Sequence, residues 1–308
     1  MSKVEVLLAA YNGAEFIGEQ IESILAQSYQ DFTILVRDDG STDGTVDIVK
    51  GYISKHPDKI RLVEDSRQGG SAARNFFLLM QSASADYVMF SDQDDVWLSD
   101  KIKISIDEME MVESQIGRDK PVLVFADYEA VDSELNSLGL DESKNQIAAY
   151  KTDLRHLLVQ NYVTGCLVMA NRALYEHAGE YDDRIEMHDW WLTLYAAAFG
   201  TISHIPHKVM LYRQHGNNAV GATDVKSFKY RLNKFRDPAT ASAKDRYYAQ
   251  AELFAGRYGD SMGTEAAKTV SDFIRTQDGN KLQRVAGLIR GRYFKGDIVR
   301  VIGQLWYI

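Results

Sequence analysis

This sequence of 308 residues has little cysteine and no long apolar run, and each absence excludes a class of protein. Cys166 is the single cysteine, so no intramolecular disulfide can form, which is typical of a protein in a reducing compartment. No run of about eighteen apolar residues occurs, which excludes an ordinary membrane-spanning helix. The apolar run near the N-terminus is interrupted at Glu5 and is too short for a secretory signal. We therefore expect a cytoplasmic protein.

Basic residues are scarce in the first part of the chain and abundant in the last. Residues 1–225 carry 19 Lys and Arg against 36 Asp and Glu, a net charge of −17. Residues 226–308 carry 16 Lys and Arg against 8 Asp and Glu, a net charge of +8. An acidic surface repels phosphates, so we expect no nucleic acid among the partners of the first region. The opposite charge of the second region predicts a separate task for it.

Short β-rich runs alternate with helical patterns through the first 130 residues. Strands are predicted over residues 4–9, 32–36, 60–63, 87–90 and 122–126. Helices are predicted over residues 14–27, from a cap at Thr42 or Asp43 to residue 53, over 71–82, and from near Leu98. This alternation is typical of an α/β fold with a mostly parallel sheet and helices on both faces.

The pattern becomes less regular beyond residue 150. We predict helices over 154–158 and 190–199, strands over 162–169 and 209–211, and helices alone from about residue 225. The predicted domains are a catalytic unit over 1–222, whose two halves meet near residue 130, and a basic helical region over 223–308.

An acidic cluster directly follows the fourth predicted strand and consists of Asp92, Asp94 and Asp95. Three carboxylates this close together repel one another unless a cation neutralises them. Mg²⁺ and Mn²⁺ prefer oxygen ligands and keep positions open for phosphate oxygens, so the cluster predicts a divalent cation. The alternative is a solvated acidic turn that caps the following helix.

Two further motifs lie beyond the carboxyl ends of predicted strands, where ligands bind in such sheets. Asp39 follows the second strand and could accept a hydrogen bond from a base or a ribose, or could form a plain turn before a helix. Arg74 lies one turn into a helix that follows Gly69 and Gly70, an arrangement that suits a diphosphate or a nucleoside. The alternative for Arg74 is an ordinary surface arginine.

Arg213 and His215 follow the strand predicted over residues 209–211. Their side chains point the same way if that strand continues, because alternate residues of a strand share a face. In that case both reach a diphosphate or a metal. The alternative for His215 is a structural histidine.

Five motifs in order, namely LLAAYNG, VRDDGSTDGT, GGSAARN, SDQDDVW and HDWW, resemble those of family 2 glycosyltransferases. The resemblance extends over roughly residues 3 to 215 and implies the GT-A fold, here with a C-terminal helical extension. It also implies the transfer of a sugar from a nucleotide diphosphate to a hydroxyl group, with Mn²⁺ or Mg²⁺ as cofactor.

The resemblance implies a role for each matched residue. The nucleotide-sugar positions are Ala9, Tyr11, Asn12, Asp39, Arg74, Asp92 and Gln93. The metal positions are Asp92, Asp94 and His215, and the catalytic base is Asp189. The positions near the acceptor or the diphosphate are His188, Trp190, Trp191 and Arg213, with one of the two tryptophans expected in the core. His188 departs from the family, which usually has Glu at this position, so its role stays open.

The chemistry of such a transfer fits a carboxylate at position 189. A sugar hydroxyl is a poor nucleophile and needs a positioned base to accept its proton. With one base on one face and the leaving group on the other, a single displacement inverts the anomeric carbon. Asp189 could at the same time be the N-cap of a helix that begins at Trp190.

The donor prediction depends on three segments, SDQDDVW, HDWW and YRQHGNN, which are similar to bacterial rhamnosyltransferases of cell-surface rhamnose polysaccharide synthesis. That similarity favours dTDP-β-L-rhamnose. A UDP-hexose donor is one alternative, and a non-catalytic nucleotide- or glycan-binding protein is another, although the acidic motif residues are intact. A nucleotidyltransferase would need a basic Gly-rich loop after the first strand, and AAYNGAEF lacks one.

The end of the chain combines apolar residues at helical spacing with basic residues. Leu282, Val285, Ile289 and Tyr293 form the apolar series, and Trp306 lies near the C-terminus. Basic amphipathic helices are typical of membrane surfaces. We predict peripheral association with the inner face of the plasma membrane and a polyprenyl-linked glycan acceptor. The alternative is a tail packed on the catalytic domain or on a second subunit.

Overall fold

Eight strands form one mixed sheet in the computed structural model, which describes residues 3–65, 67, 69–139, 151–215, 238–296 and 298–308. They are β1 Val4–Ala10, β2 Phe32–Asp38, β3 Ile60–Leu62, β4 Tyr87–Ser91, β5 Val96–Trp97, β6 Val122–Val131, β7 Val168–Asn171 and β8 Thr201–Arg213. The order is β3-β2-β1-β4-β7-β6-β8-β5. Strands β3, β2, β1 and β4 are parallel, β7 is antiparallel to both neighbours, β6 and β8 are parallel, and β5 is antiparallel to β8.

The described helices follow the strands in the predicted alternation. They are α1 Ile17–Leu25, α2 Thr45–Lys55, α3 Ala72–Ser82, α4 Lys101–Ile116, α5 Leu154–Leu157, α6 Arg172–Tyr175, α7 His188–Phe199, α8 Pro238–Tyr258, α9 Thr264–Ile274, α10 Lys281–Gly291 and α11 Ile298–Tyr307. Short 3₁₀ helices cover Gly165–Leu167, Glu176–Ala178 and Arg275–Gln277. Among the helices described, none is both long and apolar enough to cross a bilayer.

The sheet separates two hydrophobic cores because successive side chains of a strand point to opposite faces. Val6 of β1 packs in the core that contains Ile21 of α1. Its neighbour Leu7 packs in the core that contains Phe76 of α3 and Trp191 of α7. The predicted α/β architecture, a mostly parallel sheet with helices on both faces, is confirmed.

The C-terminal helices pack on the second of these cores. The ring of Phe254 on α8 meets that of Trp191 edge to face, with centroids 5.3 Å apart. Phe273 on α9 meets Tyr293 in the same way at 5.0 Å. The part of the chain that forms the sheet and the C-terminal helices therefore share buried side chains. The boundary predicted between residues 222 and 223 lies outside the described residues.

The strand predicted over residues 162–169 is wrong. A 3₁₀ turn occupies Gly165–Leu167, and the strand β7 begins only at Val168. The side chain of Asn161 bonds both to the N–H and to the C=O of Val163, which closes a local turn in place of extended pairing.

Two predicted helix starts also move. The N-cap of α2 is Gly44, whose φ of 93° suits glycine, while the Asp43 carboxylate accepts hydrogen bonds from Ala14 and Thr45. The helix expected from near Leu98 begins at Lys101. In both cases the helix begins later in the chain than predicted.

Candidate active site

The ends of β1 and β4 meet at one edge of the sheet and are tied by Gln93. Its side-chain Oε1 accepts from the backbone N–H of Tyr11 at 2.8 Å, and its Nε2 donates to the carbonyl of Tyr11 at 2.9 Å. A Cβ at Gly13 would lie 2.2 Å from Gln93 Oε1, so this clamp requires glycine there. Gln93 thereby fixes the backbone of Tyr11, and Ala9, two residues before it, is half-buried.

The ends of β1 and β2 are tied by Asn12, which has a left-handed φ of 47°. The Asn12 N–H donates to Ser41 Oγ at 2.8 Å, and its side-chain oxygen accepts from the N–H of Thr42 at 2.9 Å. The neighbouring side chain of Tyr11 is 58% exposed. Asn12 therefore joins the two loops, and the ring of Tyr11 is exposed to solvent beside them.

Asp39 and the GGSAARN motif come together as the sequence predicts. The Asp39 carboxylate accepts hydrogen bonds from the N–H groups of Gly69 and Gly70, the latter at 2.9 Å. Arg37 lies beneath it, with Nη1 3.5 Å from Asp39 Oδ1. The exposed Arg74 instead lines an open cavity of about 850 Å³ between α3 and residues 176–183.

The acidic cluster after β4 gathers ligand atoms of Asp92, Asp95 and Cys166, all within 4.8 Å of one another. Burial, followed by repulsion from Asp94 and Asp189, raises the pKa of Asp92 to about 7. Asp95 is 1% exposed, and its Oδ2 has no hydrogen-bond partner among the described residues. A buried carboxylate either takes up a proton or pairs with a cation, so these groups leave a place for a positive charge.

The predicted metal residues Asp94 and His215 are also in contact. His215 Nε2 lies 2.8 Å from Asp94 Oδ2, and the His215 ring packs on Phe16 with centroids 4.9 Å apart. Residues 216–218 of the YRQHGNN segment lie outside the described residues.

These side chains fit a hard divalent cation such as Mg²⁺ or Mn²⁺, because Asp92, Asp94 and Asp95 supply carboxylate oxygens. Burial raises the pKa of the Cys166 thiol, and that thiol donates a hydrogen bond to Asp92. A thiol is a softer donor than these hard cations prefer. We therefore place Cys166 as a support of Asp92 and not as a ligand. No sequence signal pointed to Cys166, because only the fold brings it here.

The assignment of Arg213 to the diphosphate is corrected by the structure. Arg213 is 2% exposed, its Nε donates to the carbonyl of Asp94 at 2.8 Å, and its N–H donates to Asp95 at 3.1 Å. Its guanidinium pairs with Glu19 and lies 4.7 Å from the centroid of the Phe16 ring. Arg213 therefore orients the acidic loop from below and does not face a ligand.

Lys101 is a buried cation that the sequence analysis missed. Its Nζ donates to the carbonyl of Cys166 at 2.6 Å and lies 3.8 Å from the centroid of the Trp97 ring. Burial lowers the pKa of Lys101 to about 8. Asp92 and Asp95 attract its charge, so Lys101 offsets part of their repulsion. A lysine on an amphipathic helix carries no sequence signal of such burial.

Asp189 lies in the first turn of α7, close enough to the acidic cluster to raise the pKa of Asp92. Its carboxylate is 8% exposed and accepts the N–H of Trp190 at 2.6 Å. Burial raises the pKa of Asp189 to about 7, although hydrogen bonds from Trp190, Gly165 and Asn161 lower it. Met187 is the N-cap, so the predicted capping role of Asp189 is wrong.

The neighbours of Asp189 are mostly core residues. Trp191 is fully buried, and its Nε1 donates to the carbonyl of Ala178 at 2.8 Å. His188 is 2% exposed and packs between Phe76 and Phe90, with centroids 4.0 and 4.9 Å away. Trp191 is thus the core tryptophan of the pair, and the predicted acceptor contact of His188 is corrected to a place in the core.

His188 and Trp190 differ in whether their ring nitrogens form hydrogen bonds with described residues. Burial lowers the pKa of His188 to about 3, and its ring nitrogens have no partner among the described residues. Trp190 is half-buried, and its Nε1 donates to the carbonyl of Leu157 at 2.6 Å. Of the three aromatic positions predicted near the acceptor, Trp190 alone keeps an exposed part.

Comparisons with known proteins agree with this geometry. The chain is 31% identical to the dTDP-rhamnosyl transferase RfbG of Shigella flexneri over 238 residues, which cover 73% of this chain and 77% of that protein. The fold is that of GT-A glycosyltransferases. The S. aureus TarS fragment 1–349 in complex with UDP-GlcNAc has a TM-score of 0.56 at 15% identity, covering 98% of this chain and 90% of its own.

A second solved structure is similar to the same extent. The mannosyltransferase PcManGT from Pyrobaculum calidifontis, in complex with GDP-Man and Mn²⁺, has a TM-score of 0.54 at 19% identity, covering 94% of this chain and 79% of its own. The model of the Glycosyl transferase family 2 matches residues 5–175, which hold the Asp39, Arg74 and Asp92 motifs. The chain belongs to glycosyltransferase family 2.

Proposed function

We propose that this glycosyltransferase moves L-rhamnose from dTDP-β-L-rhamnose to a hydroxyl of a glycan, with inversion and with a divalent metal. The observation that carries the mechanism is the buried Asp189, whose pKa is raised to about 7, beside the acidic cluster. The donor is inferred from the similarity to a dTDP-rhamnosyl transferase.

Asp189 is the general base in this proposal. Its carboxylate accepts the proton of the acceptor hydroxyl as that oxygen attacks the anomeric carbon, and the bond from this carbon to the diphosphate oxygen breaks. A pKa near 7 keeps enough of the base ionised at neutral pH while leaving it basic enough to accept the proton. The hydrogen bonds from Trp190 and Gly165 fix the direction in which the carboxylate faces.

A divalent cation held by Asp92, Asp94 and His215 would neutralise charge on the leaving diphosphate. The chain's own residues prepare that position. Arg213 donates hydrogen bonds to the carbonyl of Asp94 and to the carboxylate of Asp95, and the buried charge of Lys101 offsets part of the carboxylates' repulsion.

The nucleotide is proposed to lie at the ends of β1 and β2. The exposed ring of Tyr11 offers a surface on which a base can stack. The Asp39 carboxylate now accepts hydrogen bonds from the N–H groups of Gly69 and Gly70. On binding, it would accept hydrogen bonds from the base of the nucleotide in their place. Arg74 would then approach the nucleotide from the first turn of α3.

The acceptor is proposed to be a polyprenyl-linked glycan, which requires the enzyme to work at the inner face of the plasma membrane. The net charge of +8 over residues 226–308 supports this placement, because the cytoplasmic leaflet is anionic. The product would then serve cell-wall or surface polysaccharide synthesis.

A donor panel tests the proposal. Calorimetry with Mn²⁺ should show binding of dTDP-β-L-rhamnose that is tighter than that of UDP-glucose, UDP-galactose or UDP-GlcNAc. Wild-type protein should release dTDP from the first donor, and Asp189→Asn should bind it without comparable release. Preferred binding and turnover of a UDP-hexose would contradict the rhamnose assignment while leaving the glycosyltransferase intact.

A further inference from the structure

The outer side of α10 presents apolar side chains to solvent. Leu282 is 80% exposed and Ile289 is 54% exposed. Residues seven apart lie on the same face of an α-helix, and the exposed Ala286 lies between them. The result is an apolar stripe along α10.

A second stripe runs along α11. Ile302 is 55% exposed and Trp306 is 69% exposed, and residues four apart are neighbours on a helix surface. Lys281 Nζ donates to the carbonyl of Trp306 at 2.7 Å and lies 5.5 Å from the centroid of its ring. The start of α10, which carries Leu282, therefore lies beside the end of α11, which carries Trp306.

The opposite sides of α10 and α11 are packed against the rest of the protein. The exposed apolar side chains therefore belong to fixed helices and not to a loosely held chain end. Leu288 and Tyr293 are buried in the core shared with the sheet. Gln304 is 7% exposed, accepts the N–H of Lys295 at 3.1 Å and donates to the carbonyl of Tyr293 at 2.9 Å. A capping box between Asn280 and Gln283 fixes the start of α10.

Apolar exposure is concentrated here. Eight large apolar side chains are exposed in the described part of the chain, and four of them lie in these two helices. Single exposed apolar residues need no explanation, whereas a contiguous group on anchored helices marks an interaction surface.

The charge of the same segment is strongly positive. Residues 281–308 contain six Lys and Arg and one Asp, a net charge of +5. The exposed Lys281, Arg290 and Arg292 lie on α10 or directly after it, and the exposed Arg300 lies on α11. A partner for this surface must accept apolar side chains and carry negative charge.

We propose that the α10–α11 face, formed by Leu282, Ile289, Ile302 and Trp306 with the basic residues around them, docks on an anionic lipid bilayer. The apolar side chains enter the headgroup region, where tryptophan is favoured, and the basic side chains pair with lipid phosphates. This deepens the proposed function, which requires a membrane-bound acceptor, but the binding itself needs no catalysis.

A second copy of the chain fits this face less well than lipid does. A two-fold dimer places the same patch of both subunits in contact. Two segments of net charge +5 would then face each other, and like charges oppose association. An anionic bilayer would cover the exposed apolar side chains and would attract the net positive charge of the segment.

Vesicle sedimentation with the full-length protein tests the proposal. The protein should sediment with vesicles of phosphatidylcholine and phosphatidylglycerol at low salt, much less with phosphatidylcholine alone, and less again as salt rises. Leu282→Gln with Trp306→Gln should weaken this binding at least about tenfold, because apolar insertion is lost. Arg290→Gln should weaken it about fivefold.

A matched control is Met111→Gln, which removes a side chain 48% exposed on α4. This helix packs in the opposite core, so vesicle binding should not change. Brominated lipids should quench the tryptophan fluorescence of the wild-type protein, a readout that does not depend on any variant folding. Asp189→Asn should bind vesicles like wild type, and the α10–α11 variants should keep donor hydrolysis, which separates this surface from the active site.

Absence of sedimentation and of quenching with anionic vesicles at low salt would overturn the proposal. So would a concentration-dependent dimer, seen by ultracentrifugation, that Leu282→Gln with Trp306→Gln abolishes, because the face would then serve a second copy.

Discussion

In the proposed mechanism, proton transfer depends on Asp189. Asp189→Asn keeps the shape of the side chain and leaves the residues of the nucleotide end untouched. Loss of a general base costs about 10² to 10⁴ in rate, so kcat should fall by that factor while donor affinity in calorimetry stays unchanged. Near wild-type turnover of the variant would assign the base elsewhere.

The raised pKa of Asp189, about 7, has a consequence for both activity and stability. The base works only when ionised, so turnover should rise with pH up to about 7 and then level.

The folded protein binds this proton more tightly than the unfolded chain, so the contribution of Asp189 to stability is present below about pH 4 and is lost as pH rises to about 7. The Tm of Asp189→Asn, relative to wild type, should therefore be higher at pH 8 than at pH 5. A difference that does not vary with pH would contradict the raised pKa.

The carboxylates of Asp92 and Asp94 predict metal dependence. Chelation with EDTA should abolish turnover, and Mn²⁺ or Mg²⁺ should restore it. Asp94→Asn should need more Mn²⁺ for half-maximal activity than wild type, because one charged ligand is lost. The control Asp107→Asn changes an exposed carboxylate on α4 and should behave like wild type. Full activity after thorough chelation would remove the metal from the mechanism.

The residue scale also shows where the sequence misleads. Arg213 and His215 were expected to share a side if the strand continued, but β8 ends at Arg213. Strand alternation therefore does not extend to His215, and the end of a strand depends on pairing that periodicity does not reveal.

At the scale of elements, the turn Gly165–Leu167 joins the two halves of the site. Gly165 supplies an N–H to Asp189, and the carbonyl of Cys166 accepts from Lys101. The apolar run around this turn is typical of a strand, and no local sequence pattern indicates the hydrogen bonds by which Asn161 bends the chain. The strands and helices of the first 130 residues were predictable because their periodicity is long and regular.

Gly165→Ala tests this turn. A Cβ there would lie 2.7 Å from His188 Nε2 and 3.3 Å from the Cβ of Asp189, so the start of α7 must shift. A shift of about 1 Å at a catalytic group lowers the rate about a hundredfold, so kcat should fall between tenfold and a hundredfold, and Tm should drop.

The control Gly256→Ala, on the exposed side of α8, meets no described atom within 4 Å. It should leave kcat unchanged and stabilise the fold by about 0.5 to 1 kcal/mol. Equal behaviour of the two variants would show that the turn does not position the base.

At the scale of the whole molecule, an acidic catalytic body carries basic helices that share its core. The opposite charges were evident from the sequence, whereas the shared core was not, because the contact between Trp191 and Phe254 joins residues far apart in the chain. Removing the C-terminal helices would expose Trp191. The surface of α10 and α11 is therefore better tested by exposed point variants than by truncation.

The stereochemistry of the product is the most direct test of the central claim, that one buried carboxylate drives a single displacement. NMR of the glycan made from dTDP-β-L-rhamnose should show an α-L-rhamnosyl linkage, formed by wild type and nearly absent with Asp189→Asn. A β-L-rhamnosyl product would mean retention at the anomeric carbon and would contradict a single displacement with Asp189 as its base.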